Sequence, residues 1–262
     1  MREKASDVAQ RIANIFAHVY KFGDQQFSAI YTACRAGIEQ YGDAMTMNRF
    51  REKLEEEKNP ASKTVLSKMA PFLDSAEFVN DPDFDWEKVI HSDGTVTVIQ
   101  LTNFVREIQV IITEMMLWDA WHYNKKYGNK DTPFVVVLDE AQNLSHKAAS
   151  PSAMILTEGR KFGWSAWFAT QSLKVLESDE IVRLQQSAFK LYFKPTDEEI
   201  PTVAKSIDPS GGASSWSNTL KGLRKGQAIT IGDRNRPDGV FGHMNPTVVG
   251  IASFEDRKDE TK

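Results

Sequence analysis

The stretch that decides the reading is FVVVLDEAQNL, Phe134 to Leu144. Its first five residues are apolar and mostly β-branched, the composition of a strand buried on both faces. The run leads straight into two adjacent carboxylates, Asp139 and Glu140. Polar residues end many strands, and that is one reading. The other starts from where ligands bind in parallel sheets, which is at the carboxyl ends of the strands. Two neighbouring acids there can divide the work of nucleotide hydrolysis. The first, Asp139, is placed to help hold Mg²⁺ and the second, Glu140, to polarise the water that attacks the γ-phosphate of ATP.

The segment SAWFATQSL, Ser165 to Leu173, is a second apolar run, and it ends in Thr170 and Gln171. An amide at the tip of a neighbouring strand can touch the γ-phosphate or the lytic water and so report on nucleotide state; Gln171 could equally cap a following helix. Between the two strands lies ILTEGRKFGW, in which Arg160 and Lys161 follow a helical pattern and precede Gly163. Basic residues at a helix C-terminus with a glycine as the stop explain the local pattern. An arginine reaching the phosphate of a neighbouring subunit is the functional alternative.

Outward from this centre the pattern changes in both directions. Val8, Ile12, Ile15, Phe16 and Val19 recur at helical spacing, with Ser6 as the expected N-cap and Gly23 after the last periodic residue. Further helices are expected over 25–40, 46–58 and 61–73, so residues 1–75 read as a helical subdomain. REKLEEEK reads as a solvated helix face. Residues 76–93 read as an irregular linker, rich in Asp, Pro and Gly. TVTVIQL, Thr95 to Leu101, is a β-branched run leading into a helix from Asn103 to about Tyr127. That helix is apolar on most of its circumference, and such helices are usually buried. Beyond FVVVL come a helix around 153–162, the strand SAWFAT, a helix SLKVLES, a strand FKLYF, a helix EEIPTVAKSI, a loop DPSGGASSWS, and the strands QAITIG and TVVGIAS. Alternating strands and helices predict an α/β fold, a mostly parallel sheet flanked by helices, over 94–252. The tail, 253–262, reads as disordered.

The bulk numbers are those of an ordinary globular chain: 262 residues, 41% hydrophobic, 26% charged, net charge −4. The charge gives no global basic signature, so contact with nucleic acid has to come from a local patch or from copies ringed around a pore. Lys147, in the small polar loop SHKAASPS expected to be flexible, is the candidate contact to DNA phosphates. A single cysteine, Cys34, rules out a disulfide framework within the chain. No apolar run approaches the roughly 20 residues that cross a bilayer, and MREKASDVAQ has no apolar core of a leader. A cytoplasmic location is expected. The five histidines have no ligand spacing, and Trp118 and Trp121 read as core.

LDEAQNL, EGRKFGW, FATQSL and LQQSAFKLYF, in this order, resemble the C-terminal half of the HerA–FtsK–VirB4 superfamily of ring-forming translocases, over roughly Gly94 to Ile251. Within it the chain is most similar to HerA-like ATPases of phosphorothioation-dependent DNA restriction systems, on the likeness of DTPFVVVLDEAQNLSHKAASPSAMILTEGRKFGW. The resemblance implies an incomplete RecA/HerA-like core using ATP and Mg²⁺. Asp139 would be the metal-associated acid, Glu140 the catalytic base, Gln171 the sensor beside Thr170 at the nucleotide, and Arg160 the trans-acting arginine. It implies a homo-hexamer moving on duplex DNA with a nuclease or restriction partner. The chain departs from the family in one respect: no GxxxxGK[ST] occurs anywhere in it. The loop that cradles the phosphates, and its lysine, are missing. The expectation is a C-terminal piece of a longer polypeptide that hydrolyses ATP poorly alone. A VirB4-like ATPase serving conjugation or secretion, and a non-catalytic scaffold with a degenerate ATPase fold, are the rival readings.

Overall fold

The computed structural model describes residues 3–75, 86–91, 100–235 and 241–252. The chain divides into two compact units. One comprises Met1–Val136 and Asn143–Ala166, the other Val137–Gln142 and Trp167–Lys262.

The first unit is built on helices: α1 (Ala5–Tyr20), α2 (Asp24–Tyr41), α3 (Met47–Glu56), α4 (Ala61–Ser75), α5 (Trp86–His91), α6 (Arg106–Tyr127) and α7 (Pro151–Glu158). The periodic apolar residues of α1 turn inward, with Phe16 fully buried. Phe16 stacks on Phe50 of α3 at 5.9 Å and meets Phe72 of α4 edge-on at 5.4 Å. Each such ring contributes about 2–3 kcal/mol by leaving water. On α2 a stripe of small residues, Ala29, Ala33 and Gly37, faces in. Cys34 lies on the same face, and burial pushes its thiol pKa up to about 12. The hydroxyl of Thr46 accepts from Arg49 N at 3.3 Å and starts α3. Only Phe50 and Leu54 of that helix are buried, so its charged face is solvated as expected.

Several helix limits differ from the sequence expectation. Lys4, not Ser6, occupies the N-cap of α1, and the Ser6 hydroxyl donates to Asp7 Oδ1 at 3.1 Å. Lys21, in left-handed conformation at φ 54°, closes α1, and Gly23 serves as the N-cap of α2. A six-residue helix, α5, stands inside the segment read as irregular. Of the expected strand TVTVIQL, 95–99 lie outside the described residues, and Gln100 and Leu101 are not in a strand. The tail at 253–262 is also outside them. The helical core is not confined to residues 1–75: Ile108 and Ile111 of α6 belong to the same buried cluster as Phe16 and Phe72. That follows from α6 being apolar on most sides. Trp121 of α6 is buried, edge-on to Phe162 at 5.4 Å, while Trp118 is half-buried with the Arg11 guanidinium over its ring.

Strands β1 (Phe134–Leu138) and β2 (Trp164–Phe168) begin in the first unit and end in the second. They run parallel. Phe134 N donates to Gly163 O at 2.7 Å, Ala169 N to Leu138 O at 2.9 Å and Ala141 N to Ala169 O at 2.8 Å, both chains advancing together. Before β2 the chain passes a 3₁₀ turn, Gly159–Phe162, and Gly163 at φ 76°. A Cβ on Gly163 would strike the backbone of Asn129, so the glycine is the stop that the sequence suggests. β1 is less buried than its composition suggests: Val135 and Val137 are 55% and 61% exposed. Among the described residues this sheet has two strands, so each is an edge.

The second unit adds α8 (Ser178–Leu184), β3 (Phe189–Tyr192), α9 (Ile200–Ile207), α10 (Ala213–Gly222), β4 (Gln227–Asn235) and β5 (Phe241–Gly250). The last three strands form an antiparallel sheet in the order β3-β4-β5, with Tyr192 opposite Ile229 and Ile229 opposite Val248. The fold is therefore α/β, but among the described residues the expected mostly parallel sheet is a parallel pair plus an antiparallel triplet. For β4 and β5 the connection decides this. The link from β4 to β5 is too short for the crossover a parallel partner needs. Gly232, at φ 112° beside the register shift, is pressed against Ala188 and has no room for a Cβ.

Two local expectations also fail here. SLKVLES is not a helix; the chain turns through it, and α8 starts at Ser178 behind a capping box made by Glu177 and Glu180. DPSGGASSWS is not all loop. Asp208 Oδ1 accepts from Ser210 N at 2.9 Å and Ser210 Oγ at 2.5 Å, and Oδ2 accepts from Gly212 N at 3.2 Å. These bonds, the hydroxyl's first, hold the Asp208 carboxyl below the usual range and wind the chain into α10. The core of the unit packs Ile200, Val203, Ala204 and Ile207 of α9 with Leu220, Leu223, Ile229 and Leu173. No helix among the described residues is long and apolar enough to cross a membrane.

Candidate functional site

Leu138, the last residue of β1, is buried, and Asp139 and Glu140 emerge from it into solvent. Asp139 Oδ1 accepts from Glu140 N at 2.8 Å. The turn puts Glu140 at φ 50°, a left-handed conformation that costs a non-glycine residue about 1–2 kcal/mol. Such strain persists where the surroundings fix it, and it clusters at functional positions. Here Ala141 N, paired with Ala169 O, holds the turn on one side, and the Glu140 side chain holds it on the other. Glu140 Oε1 accepts from Gln171 Nε2 at 3.1 Å. Gln171 N donates to Gln142 Oε1 at 3.3 Å. The tips of β1 and β2 are thus stitched together by two glutamines and a glutamate. Thr170 directs its hydroxyl hydrogen into its own turn, to Ser172 O at 2.9 Å.

The fold therefore brings together Asp139, Glu140, Thr170 and Gln171, all in the second unit. It places Lys147 and Arg160 in the first unit. Arg160 sits, exposed, on the 3₁₀ turn after α7, where its neighbour Lys161 lies 3.8 Å from Glu158. Lys147 is exposed, but the loop carrying it is not the loose segment expected. Ser145, His146, Ser150 and Ser152 are all buried, His146 completely. His146 Nδ1 lies 2.8 Å from Ser152 Oγ, Ser152 Oγ donates to Ser145 O at 2.5 Å, and Ser150 Oγ caps α7 through Ala153 N. Ser145 N donates to Glu114 Oε1 at 2.7 Å. Polar side chains buried at this density are ordered by one another, and the small residues that suggested mobility serve instead to fit the network.

Glu114 is the residue that sequence reasoning passed over. It is the lone acid among the apolar residues of IITEMML, is 1% exposed, and burial pushes its carboxyl up to about 7 against the opposing Ser145 bond. It lines a cavity of about 200 Å³ in the first unit, shared with Asn14, His18, Trp118, Ser150 and Lys147. The signal was present: an acid in the middle of the apolar window IITEMML. Gln142 and Glu199, by contrast, stand among other polar residues and cannot be told from solvated surface by sequence.

An ATP–Mg²⁺ site needs a metal-associated carboxylate, a base for the water, and donors for the phosphates. Asp139 offers an exposed carboxylate of which one oxygen is engaged by a backbone N–H, which fits a hydrated cation; Glu140 and Gln171 fit the water. The phosphate donors have no counterpart in the sequence. The residues present therefore fit the metal and water end of the site and not its phosphate end. No protein-family model matches the sequence, and no curated protein matches it.

Proposed function

We propose that this chain is the C-terminal ATPase portion of a HerA-like motor that couples ATP hydrolysis to movement on duplex DNA, in a cytoplasmic DNA restriction or defence system. The observation that carries the reading is the contact of Glu140 Oε1 with Gln171 Nε2 at 3.1 Å, across the tips of two adjacent parallel strands. A left-handed glutamate tied to an amide is a costly arrangement for a plain strand end. It suits a base and a sensor that must address one water.

In this reading Asp139 would hold Mg²⁺, which would supply charge to offset that developing on the phosphates. Glu140 accepts a proton from the attacking water at its carboxylate. Gln171 donates to Glu140 when the site is idle and can turn to the γ-phosphate side when it is loaded. Arg160, from a neighbouring subunit of a homo-hexamer, would stabilise the transition state, and Lys147 would meet DNA phosphates at the pore. This reading requires a phosphate cradle that the sequence, lacking GxxxxGK[ST], does not itself supply. The resemblance of LDEAQNL, EGRKFGW and FATQSL supports the motor, and a nuclease or restriction protein is the proposed partner.

The test is steady-state ATP turnover of the polypeptide that includes the phosphate loop, with and without duplex DNA, beside Glu140→Gln. DNA-stimulated turnover that falls by about 100-fold or more in Glu140→Gln is expected, as for loss of a general base, with the 262-residue chain inert. Turnover indifferent to Glu140→Gln refutes the motor. Turnover stimulated by membrane partners and not by DNA transfers the reading to a VirB4-like ATPase.

A further inference from the structure

We infer that Glu199 is a positioning residue that locks the turn after Gln171 onto α9, so that the state of the Glu140–Gln171 contact is transmitted to the α9–α10 body; this rests on the reading of Glu140 and Gln171 as the hydrolytic pair. Glu199 is 6% exposed. Its carboxylate takes hydrogen bonds from three successive residues of the turn and none from α9. Oε1 accepts from Ser172 Oγ at 2.5 Å and from Lys174 N at 3.3 Å, and Oε2 accepts from Leu173 N at 3.3 Å. Backbone N–H groups converging on one anion make a nest of the kind that usually receives a ligand. Here a side chain of the same unit fills it.

Both ends of this link are stiff. Glu199 directly precedes α9 and is fixed by its own backbone: its N–H donates to Thr196 O at 3.0 Å and its carbonyl accepts from Val203 N at 2.9 Å. Helix α9 is packed through Ile200, Val203, Ala204 and Ile207 against α10 and β4. At the other end, Leu173 is itself a member of that apolar cluster, so the turn is held to α9 by a buried side chain as well as by the carboxylate. Gln171 immediately precedes Ser172. Its amide is on Glu140 and its backbone N–H on Gln142. Any backbone shift that accompanies release of Gln171 from Glu140 therefore meets a turn that can move only with α9 or by breaking bonds to a buried carboxylate. Charge-assisted bonds are the stronger kind, so the helix is the element that follows.

The geometry makes a residue-specific forecast. In Glu199→Gln one position keeps an oxygen and the other becomes an amide nitrogen. If the oxygen stays with Ser172 and Lys174, the nitrogen faces Leu173 N–H, donor against donor. Amide hydrogen exchange on the 262-residue chain should show Leu173 N–H exchanging at least about 10-fold faster in Glu199→Gln, and Leu173 and Lys174 both faster in Glu199→Ala, as loss of a bond to a charged group implies. Exchange within α9 should be unchanged. In the motor that includes the phosphate loop, Glu199→Ala should lower kcat for ATP about 10-fold with KM unchanged, and Glu199→Gln should recover part of it. Unaltered exchange at Leu173 and Lys174 overturns the cradle. Altered exchange with unaltered kcat, while Glu140→Gln is inactive, overturns the transmission. A Glu140→Gln motor that turns over normally removes the hydrolytic reading and the transmission with it, and leaves the exchange result to stand as structure alone.

Discussion

Replacing Glu114 by Gln should make the first unit more stable at pH 8 and leave it nearly unchanged near pH 5. The carboxyl is 1% exposed, and burial raises its pKa from 4.5 to about 7. The folded state then holds its proton to a higher pH than the unfolded chain does. Its contribution is fully present below pH 4.5 and is lost as pH rises through about 7. With 1.36 kcal/mol per pKa unit, the wild type loses roughly 2–3 kcal/mol between pH 5 and pH 8 through this one group. Gln keeps an oxygen to accept Ser145 N–H and has nothing to ionise. The cavity also holds His18 and Lys147. Urea unfolding followed by tryptophan fluorescence at the two pH values measures it. The gap between Glu114→Gln and wild type should open with pH by about 2–3 kcal/mol. A gap that is the same at pH 5 and pH 8, or that closes as pH rises, would refute the argument that Glu114 is buried as a neutral acid.

Two other outcomes follow from local geometry. Glu140→Gly should be more stable than Glu140→Ala by about 1 kcal/mol in thermal or urea unfolding, because both lose the carboxylate and only glycine accepts φ 50° freely; equal stability would mean the left-handed turn relaxes. Cys34, buried with its thiol pushed up to about 12, should react with a thiol reagent at pH 8 at least about 100-fold more slowly in the folded chain than in urea; equal rates in the two states would show direct access.

The parts of the fold carried by periodicity were legible. Helices α1 to α4, the long α6, and strands β1 to β4 stand close to where the apolar pattern puts them, whereas β5 begins at Phe241, six residues before the expected TVVGIAS, and ends at Gly250. The parts governed by single polar contacts were not. Nothing in SLKVLES shows that Glu199 takes two of its backbone donors, and nothing in DPSGGASSWS shows that Asp208 starts a helix within it. Sheet direction was misjudged because alternation of strands and helices argues for parallel pairing, whereas the short return from β4 to β5 enforces the opposite. At the site, the order of Asp139, Glu140 and Gln171 was readable, and the fold sets the last two in contact. The positive φ of Glu140, and the roles of Gln142 and Glu199, depend on neighbours that are distant in sequence. Glu114 was open to detection, since an acid flanked on both sides by apolar residues in IITEMML has to be accommodated by something.

The buried polar network beneath Lys147 has a consequence for any anion that meets this lysine. Lys147 N donates to Ser145 Oγ at 3.4 Å and its carbonyl accepts from Ser150 N at 2.8 Å, both partners lying in the buried network. The cation is mounted on a pedestal that is already frozen. Ordering a loop backbone costs about 1–2 kcal/mol per residue, and folding has met that cost here before any ligand arrives. The order of a lysine side chain is a separate and smaller quantity, about 2 kcal/mol at most. Under the proposed reading of Lys147 as a phosphate contact, an anion would therefore meet a backbone that is already ordered.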